Sequence, residues 1–120
     1  MIITEPFYLS YMFYKILSIS LVLLGAFHVG HAFYSADTIN EIVMWEVSEG
    51  VTTVLIGVLN YVYLYENSKT HIPEYILLAC NALFIGYLIL MITSHVNVIP
   101  SWIAMVLILC SSVLVLNKKV

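Results

Sequence analysis

The chain has 120 residues, of which 62% are hydrophobic and only 9% charged, and its mean hydropathy is +1.03. A water-soluble domain of this size needs far more polar surface, so the composition points to an integral membrane protein with almost every residue in a span or a short connection. The net charge of −3, with four lysines and no arginine, excludes a basic nucleic-acid-binding face.

Four apolar segments follow one another, at about 13–34, 43–65, 73–94 and 99–116. Each comes close to the ~20 residues that a helix needs to cross ~30 Å of hydrocarbon. Backbone groups in lipid must be paired within their own segment, so these segments are expected to be helices. The predicted fold is all-α: an integral membrane four-transmembrane-helix bundle of up-down topology, forming one membrane domain over residues 1–120.

Lys15, the apolar run after it and the small residues Ser35-Ala36 together imitate a secretory signal with its cleavage site. The apolar run is too long for a cleavable signal and lacks a basic cluster before it, so a retained span is expected. Its last turns carry His28-Val-Gly-His31, two imidazoles at i and i+3. The stretch from Tyr34 to Asn40 is polar and turn-prone.

The second segment opens with Glu46-Val-Ser-Glu49. Glu46, Glu49, Thr53, Gly57 and Asn60 are spaced three, four, four and three, which is one continuous helix face. The hydrophilic stretch from Glu66 to His71 separates it from the third segment, where Pro73 falls in the first turn, a position that tolerates proline. Asn81, Leu88 and His95 share a face at seven-residue spacing. Asn60 and Asn81 are expected at similar depth, hydrogen-bonded across the interface, and Ala82 with Gly86 reads as a close-packing pair. Pro100 opens the fourth segment. Cys80 and Cys110 fall in apolar runs and read as small buried hydrophobes. His71 reads as a solvated loop residue or cap.

Lys15, Lys69, Lys118 and Lys119 all fall on one side of this four-span scheme. The positive-inside rule then puts both termini in the cytoplasm of a multi-pass cell-membrane protein. Tyr8, Tyr11, Tyr14, Tyr63, Tyr65 and Tyr75 mark the inner interface, and Phe33, Tyr34, Trp45 and Trp102 the outer one.

Ionisable groups within spans are costly and therefore functional suspects. His28, His31, Glu46, Glu49 and His95 gather at the outer end of three helices and form the candidate site. Imidazole and carboxylate suit Zn, Fe, Cu or Mn, and bundles build metal sites from facing helices. The spacing matches neither the zincin HExxH pattern nor the paired ExxH of di-iron bundles. A haem held between His28 or His31 and His95 is a variant, with Gly25 and Gly30 admitting a flat macrocycle. Proton or quinone handling by Glu49 and His28 is another. The competing structural reading makes Glu49–His28 an ion pair, and Thr53, Asn60 and Asn81 structural polar residues between helices.

The segment LVLLGAFHVGHAFY, followed by MWEVSEGVTTVLIGVLNYVYLY, resembles small four-span prokaryotic membrane proteins of the DoxX-like kind. Gly25, His28, Trp45, Gly57, Leu59 and Asn60 carry the resemblance; His31, Glu46 and Glu49 depart from it. It implies the four-span architecture and no activity. Two functions are therefore expected in competition. One is a membrane protein that binds a metal ion or metal-containing cofactor at the outer cluster. The other is a non-catalytic accessory subunit packed against other membrane subunits or its own copies, with the lipid bilayer around it.

Overall fold

A computed structural model describes residues 5–66, 71–94 and 98–117. They form four helices: α1 (Glu5–Ser35), α2 (Glu41–Tyr63), α3 (Ile72–Thr93) and α4 (Val98–Leu116). All four are long and apolar enough to cross a membrane. The lengthwise extent of the bundle is 55 Å, against 22 and 20 Å across.

The helix ends follow local chemistry. Asn40 caps α2, its side-chain oxygen accepting from the Val43 amide at 3.0 Å. Pro73 lies in the first turn of α3 and Pro100 in that of α4, where no intrahelical donor is lost. α1 starts eight residues before the expected span. After Pro6 nothing up to Phe13 breaks a helix, so the helix continues beyond the stretch that hydropathy alone marks out.

α1 and α2 run antiparallel, as do α2 and α3. Along α1 and α2, Gly25 meets Gly50, Gly57 meets Val22, and Tyr14 meets Asn60. The contact between α1 and α2 has no slack. A Cβ added at Gly25 would stand 2.6 Å from the Gly50 carbonyl oxygen, and one at Gly57 would stand 2.8 Å from the Val22 nitrogen. Small residues let backbones approach this closely, which is how helices gain contact where lipid supplies no hydrophobic drive. α2 and α3 are looser. A mostly apolar groove of about 560 Å³ runs between them, with Leu55 and Thr52 on one wall and Leu83 and Tyr87 on the other.

The interior is layered. Leu21, Ile56, Phe84, Leu88, Ala104 and Ile108 form a buried apolar layer to which all four helices contribute. Towards the chain termini lies a polar layer, again from all four. Tyr14 Oη donates to Asn60 Oδ1 (2.8 Å), Asn60 Nδ2 to Asn81 Oδ1 (2.9 Å), and Asn81 Nδ2 to Ser112 Oγ (3.2 Å). The expected Asn60–Asn81 bond is present. Tyr14, read from sequence as an interfacial anchor, is instead fully buried in this layer. Its spacing explains why: Tyr14, Ser18, Leu21, Gly25, His28 and Ala32 repeat at three and four and are all buried on one face of α1.

The outside of the bundle is apolar, with Leu23, Phe27, Leu55, Leu83 and Val106 among the exposed side chains. Ala82 and Gly86 are on this outer face, and a Cβ at Gly86 would meet nothing within 4 Å. They are not a packing pair within the bundle. Leu77, Asn81, Phe84, Leu88 and Met91 occupy the inward face of α3, which turns 82 and 86 outward.

Candidate functional site

On the other side of the apolar layer, at the end of the bundle where α1 turns into α2, lies a second buried polar group. Glu49 is 2% exposed and His28 4%. Each sits one residue or one turn from the glycine contact: His28 follows Gly25 by three residues, and Glu49 precedes Gly50. The close helix approach therefore brings imidazole and carboxylate together, His28 Nε2 lying 3.6 Å from Glu49 Oε2.

Three helices hold Glu49. Ser101, in the first turn of α4, donates its hydroxyl to Glu49 Oε1 in a short hydrogen bond. On α2 itself, Thr53 Oγ1 donates to the Glu49 carbonyl at 2.7 Å. α1 presents His28. The two atoms that face each other, His28 Nε2 and Glu49 Oε2, are buried and have no hydrogen-bond partner. At 3.6 Å they stand beyond the 2.7–3.2 Å of an N–H···O bond.

Of the other candidate residues, His31 and Glu46 do not join them. His31 is exposed and stacks on Phe27, with ring centroids 6.1 Å apart. A three-residue step turns a helix by about 300°, and the edge of the buried face of α1 falls between His28 and His31. Glu46 is half-buried and lines a hollow of about 320 Å³ with Asp37, Thr38, Asn40 and Val43 at the α1–α2 turn. His95 lies outside the described residues. Among the described residues no three His, Cys, Asp or Glu side chains are grouped to hold a metal.

The haem variant meets a specific obstacle. Gly25 is not an open surface for a macrocycle, because the backbone of α2 already fills the space over it. Cys80 and Cys110 are free and half-buried. His71 stands at the cap position of α3, exposed, its Nδ1 3.3 Å from Glu74 Oε2. Lys15 reaches over the Tyr61 ring, 6.0 Å from its centroid.

Sequence reasoning missed Ser101 and Gly50. Ser101 had a signal: Ser101, Ala104, Ile108, Ser111 and Val115 repeat at three and four, and all are buried. Gly50 had a weaker one, being the neighbour of a buried carboxylate seven residues before another packing glycine. Comparison with known proteins finds no matching family model, curated protein or solved structure.

Proposed function

We propose that the chain is a multi-pass cell-membrane protein, with both termini cytoplasmic, whose working centre holds one small cation between His28 and Glu49. The lysine asymmetry supports the orientation. The pair of buried, unpartnered atoms facing each other carries the centre. An ionised side chain inside a span costs roughly 2.5–3.5 kcal/mol on insertion scales, and such groups mark proton relays and ion pathways. Polar residues serving only as glue close to hydrogen-bond distance, as Asn60 and Asn81 do at 2.9 Å.

A proton is the guest that needs only what the described residues supply. The protonated carboxyl of Glu49 releases it from Oε2, His28 Nε2 accepts it to give imidazolium and carboxylate, and Ser101 steadies the far oxygen. The protein is then a small enzyme or carrier using His28 and Glu49 for proton transfer.

A metal ion is the second reading, and the separation of the pair favours it. Two ligands bound at ~2.0–2.1 Å to one tetrahedral ion lie ~3.4 Å apart, close to the 3.6 Å here. Zn, Fe, Cu or Mn takes imidazole and carboxylate together. Water completes the ligand set.

The test is elemental analysis with an infrared pH-difference spectrum, on protein purified without chelator or His-tag. Near-stoichiometric metal that disappears in His28→Ala and Glu49→Gln establishes the metal form. No metal, with a carboxyl band that vanishes in Glu49→Gln, establishes the proton form. Neither signal overturns the cation centre and makes the pair a packing feature of a subunit in a larger assembly.

A further inference from the structure

We infer that the His28–Glu49 centre communicates with one end of the bundle only, through the hollow at the α1–α2 turn, with Glu46 as the relay between that hollow and Glu49. The inference rests on the cation reading above and adds the route by which the cation arrives.

The route on the open side is short and polar. The hollow of about 320 Å³ is lined by Asp37, Thr38, Asn40 and Glu46. Glu46 stands three residues before Glu49, about 4.5 Å along the helix axis and on the same side of α2. It is half-buried where Glu49 is buried, so the two carboxylates form a step from the hollow to the interior. Val43, 7% exposed, lines the hollow with Glu46.

The opposite direction is shut. Thr53, the next polar residue down the stripe, has its hydroxyl committed to the Glu49 carbonyl. Beyond it comes the apolar layer of Leu21, Ile56, Phe84, Leu88, Ala104 and Ile108, each 8% exposed or less. Leu21 lies seven residues from His28 and Ile56 seven from Glu49, about 10 Å along each helix. The six buried side chains of that layer are all aliphatic or aromatic hydrocarbon, with Cys80 and Tyr87 packed against them only part-buried. The Tyr14–Asn60–Asn81–Ser112 layer past it spends its hydrogen bonds internally. A cation that reaches Glu49 therefore leaves the way it came. The centre loads and unloads at one membrane face, so of the two proton roles named above the enzyme is kept and the carrier is given up.

Cysteine access tests this without depending on whether a cation binds. In a Cys80→Ala, Cys110→Ala background in sealed, oriented vesicles, Glu46→Cys and Glu49→Cys are exposed to a small membrane-impermeant thiol reagent on either side. Both are expected to label from the side of the α1–α2 turn, Glu49→Cys at least tenfold faster there than from the other. Adding Glu46→Trp, which fills the hollow, is expected to slow Glu49→Cys labelling at least tenfold. Labelling of Glu49→Cys from the opposite side, from both sides or from neither overturns the inference, as does indifference to Glu46→Trp. If these variants do not fold, the native chain gives the same answer. A water-soluble paramagnetic agent is expected to broaden the His28 ring signal from the turn side alone, and broadening from the other side or from neither overturns the inference. One-sided access without metal or a titrating carboxyl removes the cation centre and leaves the access route standing; the reverse result removes only the route.

Discussion

Gly25→Ala is the substitution that probes the helix contact behind the centre. The new methyl carbon lands 2.6 Å from the Gly50 oxygen and 2.8 Å from the Val54 nitrogen. Both are backbone atoms and cannot rotate away. Restoring an ordinary 3.4 Å contact moves α1 and α2 apart by about 0.8 Å and widens the His28–Glu49 gap to about 4.4 Å, because overpacking is relieved by backbone shifts. Such overpacking costs about 1–3 kcal/mol, and a clash with rigid atoms belongs at the upper end. Replacing glycine by alanine inside a helix returns roughly 1 kcal/mol, leaving a net loss of about 2 kcal/mol. Gly86→Ala is the control, since its methyl meets nothing within 4 Å and only the propensity gain of up to about 1 kcal/mol remains. Reversible unfolding in mixed micelles, titrated with denaturing detergent, reads both. A separation of about 3 kcal/mol between the two variants is expected from these terms. Equal stabilities would refute the view that α1 and α2 touch backbone to backbone at Gly25.

Further outcomes follow from the other contacts. Asn60→Ala strips partners from Tyr14 and Asn81 together and is expected to cost about 1–2 kcal/mol in the same unfolding assay; Tyr14→Phe, which removes one donor, costs less. Glu49→Gln keeps an acceptor for Ser101, so the fold is expected to hold while metal content or the carboxyl band disappears. A large loss of stability in Glu49→Gln would show the charge itself to be structural. Ala82→Leu adds bulk to an outward face and is expected to change stability by no more than about 0.5 kcal/mol; a larger loss would place a neighbour against that face. Under non-reducing conditions both cysteines are expected to react with maleimide in the denatured chain, and a single modified thiol or none would contradict the free Cys80 and Cys110.

The helices were legible because hydropathy and the turn residues both speak about them. Pro73 and Pro100 marked two starts by their own backbone chemistry, whereas Asn40, read only as the end of a turn-prone stretch, caps a helix that begins two residues before the expected span. The Asn60–Asn81 bond was legible because the seam between α2 and α3 could be aligned by depth. The site was legible only in part. Its five candidates were grouped by height along the bundle, and height does not fix rotation. A shift of about 60° around α1 separates buried His28 from exposed His31. Ser101 was hidden because serine is common in spans, and its weight came only from the carboxylate that α2 brings to it. Gly25 was legible as a close approach, but the sequence does not say whether a cofactor or another helix does the approaching.

The hydrogen-bonded layer around Asn60 has a bearing on the distant centre. A one-turn slip of any helix displaces it by 5.4 Å, far more than a hydrogen bond tolerates. Tyr14, Asn60, Asn81 and Ser112 thus serve as a datum from which axial positions are measured. Glu49 is eleven residues up α2 from that datum, about 16 Å away. Its alignment with His28 and Ser101 is inherited from polar contacts that never touch it. Substitutions at one end of the bundle can in this way retune the other, and variants selected for altered behaviour of the centre are as apt to map to the far layer as to the centre itself.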